Sequence, residues 1–152
     1  MASPNLDDLP EALSGHAAYL MVRVGKHAQR VFSAAIEPLG LRPAHWDILA
    51  TLAARTSMSQ VEIANLLLIE RAHLVALLDQ LEALGLVRRA PDPADRRRHA
   101  VSLTAAGLET TAEVATRAKA VEDALLDGLS ANERRAFRGL LARLARGADE
   151  GD

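Results

Sequence analysis

Residues 87–107, VRRAPDPADRRRHAVSLTAAG, set two short β-compatible runs around a turn-forming middle, directly after a helical pattern that ends at Gly85. Residues 86–90 and 99–103 read as strands, and Pro91, Asp92, Pro93 and Asp95 supply the turn chemistry between them. A hairpin seated on the end of a helix admits few folds. This one also carries five arginines between Arg88 and Arg98, so its tip is strongly basic.

The rest of the chain reads as helices. Leu13, Ala17, Leu20, Val24, Ala28, Val31 and Ala35 recur at steps of three and four, which predicts one long helix running to Pro38. Pro38 and Gly40 break it, and Pro43 suits the first turn of a second helix that carries Trp46, Leu49 and Leu52 and runs out by Thr56. The run Ser59-Gln60-Val61-Glu62 is a capping box that opens a third helix with Ile63, Leu66 and Leu67 as its apolar face. A fourth, about residues 70–84, sets Leu74, Leu77, Leu78 and Leu81 on one side. Ala72, Ala76, Asp79, Gln80 and Ala83 fall on the other, and Gly85 ends the helix where positive φ costs little. Thr104 caps a fifth helix that reaches about Asp127 and is closed by Gly128. Ser130-Ala-Asn-Glu133 is a second capping box, starting a last helix through about Arg146.

These elements predict a mainly α fold with a small β-hairpin wing, a winged helix-turn-helix over about residues 43–103 flanked by long helices at about 10–37 and 104–147. With 152 residues, 49% of them hydrophobic, a single domain of ordinary size over residues 1–152 is expected. The net charge of −2 says little by itself, because attraction to phosphate is local. Both ends are acidic and the middle is basic.

Cysteine is absent, which removes disulfides, thiolate zinc sites and thiol redox sensing together. The five histidines lack metal-ligand spacing, so no metal and no cofactor is expected. Glycine-rich phosphate loops, HExxH and nucleophile elbows are all missing, which argues against an enzyme. No apolar run approaches the roughly 18 residues of a membrane span, and the acidic start differs from a secretion leader. The expectation is a cytoplasmic protein with no membrane partner.

A helix pair with a small-residue outer face, followed by an arginine-tipped hairpin, suits insertion in the major groove of double-stranded DNA with a clamp alongside. Ala72 and Ala76 would let the fourth helix approach the groove floor. Arg71, His73 and Gln80 can hydrogen-bond base edges or phosphates, with Ser59 and Gln60 at the start of the third helix as further contacts. Arg96, Arg97 and Arg98 form the clamp. A winged helix serving only protein–protein interaction is the rival reading. A further rival is a small-molecule enzyme working at the first helix.

Along that helix His16, Tyr19, Arg23 and His27 are spaced three, four and four, so they line one edge. An aromatic acid could pair its carboxylate with Arg23 and meet Tyr19 and His16, while Trp46 adds apolar surface. This is a candidate effector seam.

The order LGLRPAHWDILATL, MSQVEIANLL, LDQLEALGLVRR and DPADRRRHAVSLTAAG resembles the MarR family of winged-helix transcription regulators over about residues 17–146. Asp95-Arg96-Arg97 followed by Leu103-Thr104 and Gly107 is the most specific part. The resemblance implies a homodimer built from the flanking helices, each subunit addressing half of a pseudo-palindromic operator. It further implies that Arg97 enters the minor groove while Asp95 supports the wing. In that family small anionic phenolic compounds commonly act as effectors. Ala72, Val75 and Ala76 stand where the family often has hydroxyl or basic residues, so phosphate contacts and groove width are expected to carry much of the affinity.

Overall fold

The computed structural model describes residues 8–91 and 99–149. The expected wing-tip residues Asp95, Arg96, Arg97 and Arg98 lie outside the described residues.

The first apolar stripe folds as two helices, not one. α1 (Glu11–Ser14) is a single turn behind Pro10, and α2 (Ala17–Ile36) starts only after His16, whose backbone is extended at φ −102°, ψ 120°. Apolar spacing cannot register a break this short, because the stripe resumes on the same face. A 3₁₀ turn at Glu37–Leu39 and left-handed Gly40 close α2, and α3 (Pro43–Arg55) follows.

Next comes β1 (Ser57–Ser59), a strand that the sequence pattern does not predict. Its three residues are too few for alternation to stand out, although Met58 is buried between the polar Ser57 and Ser59. The expected two-stranded hairpin is therefore part of a three-stranded antiparallel sheet in the order β1-β3-β2, built with β2 (Val87–Pro91) and β3 (His99–Leu103). Met58 pairs with Val101 and Arg88 with Ser102, so β3 is the central strand.

α4 (Gln60–Leu67) begins at the expected capping box. The Ser59 N–H donates to Glu62 Oε2 at 2.7 Å, and Glu62 N–H donates back to Ser59 Oγ at 3.2 Å. Its buried residues are Ile63 and Ala64, whereas Leu66, expected in the core, is 49% exposed. A two-turn helix presents only a narrow strip inward, and Leu66 falls beside it. Leu68, at φ 52°, makes the left-handed turn into α5 (Arg71–Ala83).

α6 (Ala105–Leu125) is capped by Thr104, whose Oγ1 accepts from Gly107 N–H at 2.9 Å. α7 (Ala131–Asp149) starts at the second capping box, where Ser130 N–H donates to Glu133 Oε2 at 2.8 Å. The core joins Ile36, Leu41, Ile48, Leu49 and Leu52 to Ile63, the four α5 leucines, Val87, Val101 and Val114. Each fully buried Leu or Ile contributes about 1.5–3 kcal/mol. Most of this core lies under the helix-turn-helix.

The flanking helices contrast with it. α2 packs on α6, yet Met21, Val22 and Val24 remain exposed. On α7, Phe137, Leu140, Leu141 and Leu144 form a stripe at helical spacing that no other element among the described residues covers. No helix among the described residues is long and apolar enough to cross a membrane.

Candidate nucleic-acid interface

α5 divides its residues sharply. Leu74, Leu77, Leu78 and Leu81 are buried, while Arg71, Ala72, His73, Val75, Ala76, Asp79, Gln80 and Ala83 are exposed. On a 3.6-residue helix Ala72, Ala76 and Ala83 form the middle of the free face, with His73 and Gln80 along one margin and Val75 and Asp79 along the other. The helix ends in a Schellman turn. Gly85, at φ 72°, donates to Glu82 O at 2.9 Å, and Leu86 N–H donates to Leu81 O at 2.9 Å, which delivers the chain directly into β2.

The wing is tied to one margin of this helix by Arg89. Its guanidinium meets Asp79 Oδ1 and Glu82 Oε2, each at 2.7 Å, and donates to the Val75 carbonyl at 3.4 Å. The side chain is 18% exposed, and its Nε is buried with no hydrogen-bond partner among the described residues. Arg89 thus offsets part of the charge of two carboxylates on α5 and fixes the angle of β2 against that helix. Arg88 donates from Nε to Ser102 Oγ at 3.1 Å across the strand pair. The basic character of residues 88–98 had grouped all five arginines together. Within the described part, Arg89 is a brace.

The opposite margin is held by Gln80. Its Oε1 lies 2.9 Å from His45 Nε2 and also accepts from the Arg42 guanidinium. His45 is 2% exposed, and its Nδ1 accepts from the Arg42 backbone N–H at 3.1 Å. That acceptor role leaves Nε2 as the protonated nitrogen, donating to Gln80. Burial holds the ring below the ordinary histidine range; the Gln80 hydrogen bond opposes this and the nearby Arg42 charge adds to it. Gln80, expected at the DNA, therefore spends its amide oxygen on α3. Neither Arg42 nor His45 had been singled out by sequence. The available signal was a histidine at the third position of a helix, where it can accept from the capping residue.

Ser59 is also engaged, since its hydroxyl donates to Glu62 Oε2 at 2.7 Å and its backbone pairs with Ala100. Gln60 is half-buried at the start of α4. Of the seam residues, His16 is exposed ahead of α2, while Tyr19 and Arg23 are half-buried along it. His27 Nδ1 lies 3.0 Å from an Arg30 guanidinium nitrogen. Trp46 is half-buried against the core. Two open grooves near the helix-turn-helix, of about 500 and 460 Å³, are lined by other residues.

Residues 39–98 match the model of the MarR family. The HTH-type transcriptional regulator PecS of Dickeya dadantii is 31% identical over 144 residues, spanning 93% of this chain and 84% of PecS. The chain belongs to the MarR family. Among solved structures, the MarR-family fold described above is similar to the transcriptional repressor CouR bound to a 23-mer DNA duplex. The two are 34% identical with a TM-score of 0.82, over 91% of this chain and 99% of CouR. BpsR of Bordetella bronchiseptica, whose DNA binding is regulated by 6-hydroxynicotinic acid, is 26% identical with a TM-score of 0.77. That match covers 90% of this chain and 98% of BpsR. As a MarR-family winged-helix protein the chain is a DNA-binding transcriptional regulator and not an enzyme.

Proposed function

We propose that this chain is a homodimeric repressor, one domain per subunit, which occupies a pseudo-palindromic operator and is released by a small anionic aromatic acid. The observation that carries the reading is the free alanine face of α5, braced on one margin by Arg89 and on the other by His45. Arg71, Ala72, His73 and Ala76 enter the major groove, with Ser59, Gln60 and Gln80 at its edges. Arg96, Arg97 and Arg98 clamp the flanking backbone and minor groove from a wing that Asp95 supports. The uncovered stripes on α2 and α7 supply the dimer contact, and two reading heads then address half-sites about one turn, roughly 10 base pairs, apart. CouR in complex with a duplex and BpsR with its hydroxylated acid support the DNA and effector parts respectively. The seam of His16, Tyr19, Arg23, His27 and Trp46 is one wall on which such an acid can rest.

Fluorescence anisotropy on duplexes from the chain's own upstream region tests this. A dimer neutralising about 6–10 phosphates loses ~10³–10⁵ in affinity between about 50 and 200 mM salt, and Arg97→Ala weakens binding several-fold without unfolding. A flat salt response, or an Arg97→Ala chain of undiminished affinity, overturns the reading in favour of a protein-interaction module.

A further inference from the structure

Gln80 is exposed on the free face of α5, with the small side chains of Ala76 one turn before it and Ala83 one turn after. A glutamine amide is ambiguous by itself, since its oxygen accepts, its nitrogen donates and either end can face a base. Here two neighbours remove the ambiguity. His45 Nδ1 is occupied as the acceptor of the Arg42 backbone N–H at 3.1 Å, so Nε2 carries the proton and can only donate across its 2.9 Å contact with the amide. The Arg42 guanidinium has donors alone, and it meets the same amide. Whatever faces both must be the oxygen. Its two lone pairs are then filled, and turning the amide over would set a nitrogen against the Nε2–H of a histidine that is only 2% exposed, leaving a buried donor unsatisfied. The amide nitrogen, with its two donors, has no partner among the described residues.

We propose that Gln80 reads the operator as a donor only, and that it selects guanine at one position of each half-site. This rests on the placement of Gln80 at the major groove in the reading above and adds the base it takes. A glutamine with both ends free pairs with adenine, giving to N7 and accepting from the N6 amino group. Gln80 lacks the acceptor for that second bond. Guanine instead sets two acceptors, N7 and O6, side by side on its major-groove edge, and both suit an amide NH₂. Adenine offers one acceptor beside a competing amino group, thymine offers O4 alone, and cytosine presents only an amino donor. The order of preference is therefore guanine first, thymine and adenine next, and cytosine last. In this way α3 enters base selection through α5, because His45 and Arg42 set which end of the amide is presented.

Selection of duplexes from a random pool by the full wild-type chain supplies the binding site. Anisotropy on versions of that site, with one base pair changed at a time in both half-sites, then reads the preferences. One position is expected to favour guanine over adenine by about fivefold or more, and 7-deazaguanine there, which lacks N7, loses part of that margin. Gln80→Ala erases the preference at that position and leaves the others. Gln80→Glu keeps one oxygen for His45 and Arg42 but presents a second oxygen in place of the amide nitrogen, so the same position turns toward cytosine, whose amino group donates. The carboxylate retains the contact with Arg42, so this variant decides the matter even if Gln80→Ala folds poorly. A Gln80→Ala chain with every preference intact overturns the proposal. So does one weakened equally at all positions, as a lost phosphate contact would produce, and so does an erased preference for adenine. Selection of no duplex from the pool would defeat the operator reading itself, whereas a selected site without a guanine that depends on Gln80 defeats this assignment alone.

Discussion

Arg89 on β2 and Glu82 on α5 are joined twice, by the Arg89 backbone N–H to Glu82 Oε1 at 3.2 Å and by the guanidinium to Oε2 at 2.7 Å. These two hydrogen bonds hold both the strand and its side chain against α5. Asp79 completes the bracket, so one cation offsets part of the charge of two carboxylates on the exposed side of α5.

Removing that cation should cost stability and affinity together. Asp79 and Glu82 are substantially exposed, which screens the pairs, so Arg89→Met is expected to lose only about 1–2 kcal/mol in urea unfolding. Duplex affinity should fall by more than this loss explains, because the two carboxylates are released toward the DNA. Adding Asp79→Asn should restore part of it. An Arg89→Met chain that binds duplex as well as wild type would rule out the brace.

His45 gives the chain a pH-dependent stability. Its folded value is depressed, so the unfolded chain binds more protons between that value and the ordinary one, and stability rises with pH across this window. The contribution is complete above the unfolded value of about 6.5 and is lost as pH falls through it toward the folded value. His45→Gln keeps an acceptor for the Arg42 backbone N–H and cannot titrate. Urea midpoints at about pH 8 and about pH 5.5 should differ less for His45→Gln than for wild type. Equal slopes would show that His45 does not report this change.

Gly107 is required by a close approach between backbones. A Cβ there would lie 2.0 Å from the Leu86 carbonyl oxygen and 3.0 Å from its carbon. The same carbonyl accepts from Thr104 N–H at 3.0 Å, so the start of α6 cannot retreat without losing its seat on Leu86, just ahead of β2. Gly107→Ala is expected to lose about 3 kcal/mol or more. Thermal melts compared with Gly139→Ala, where a Cβ meets nothing within 4 Å, provide the check.

The α7 stripe predicts the assembly. Leu140 is 54% exposed and Leu144 56%, so burying the remaining half of each against a second copy would contribute roughly half of a full leucine burial, about 1 kcal/mol apiece. Leu140→Glu with Leu144→Glu should shift sedimentation from dimer to monomer and weaken duplex binding, while leaving the helix-turn-helix core intact. A wild-type chain that sediments as a monomer would remove the basis of this prediction.

Much of the architecture was legible because its signals are local. Ser59 with Glu62, Ser130 with Glu133, and Thr104 with Gly107 are contacts three residues apart, so the helix starts could be read from neighbours in the chain. The four α5 leucines and the positive φ at Gly85 belong to one helix and its end, and they also followed from spacing. The break at His16 and the strand at Met58 escaped because each is too short to disturb or establish a period.

Pattern along the chain thus determined which segments coil, where they begin, and which side of α5 faces inward, since backbone capping and side-chain periodicity act over a few residues. Only the tertiary structure decided what the charged and polar groups do. Gln80 meets His45 across 35 residues, and Arg117 reaches the Ala35 carbonyl at 2.8 Å across 82. Arg89 differs from Arg88 solely by which face of β2 it occupies. Such pairings depend on how packed elements are oriented, and the buried apolar contacts that set this orientation leave no local mark on the polar residues they bring together.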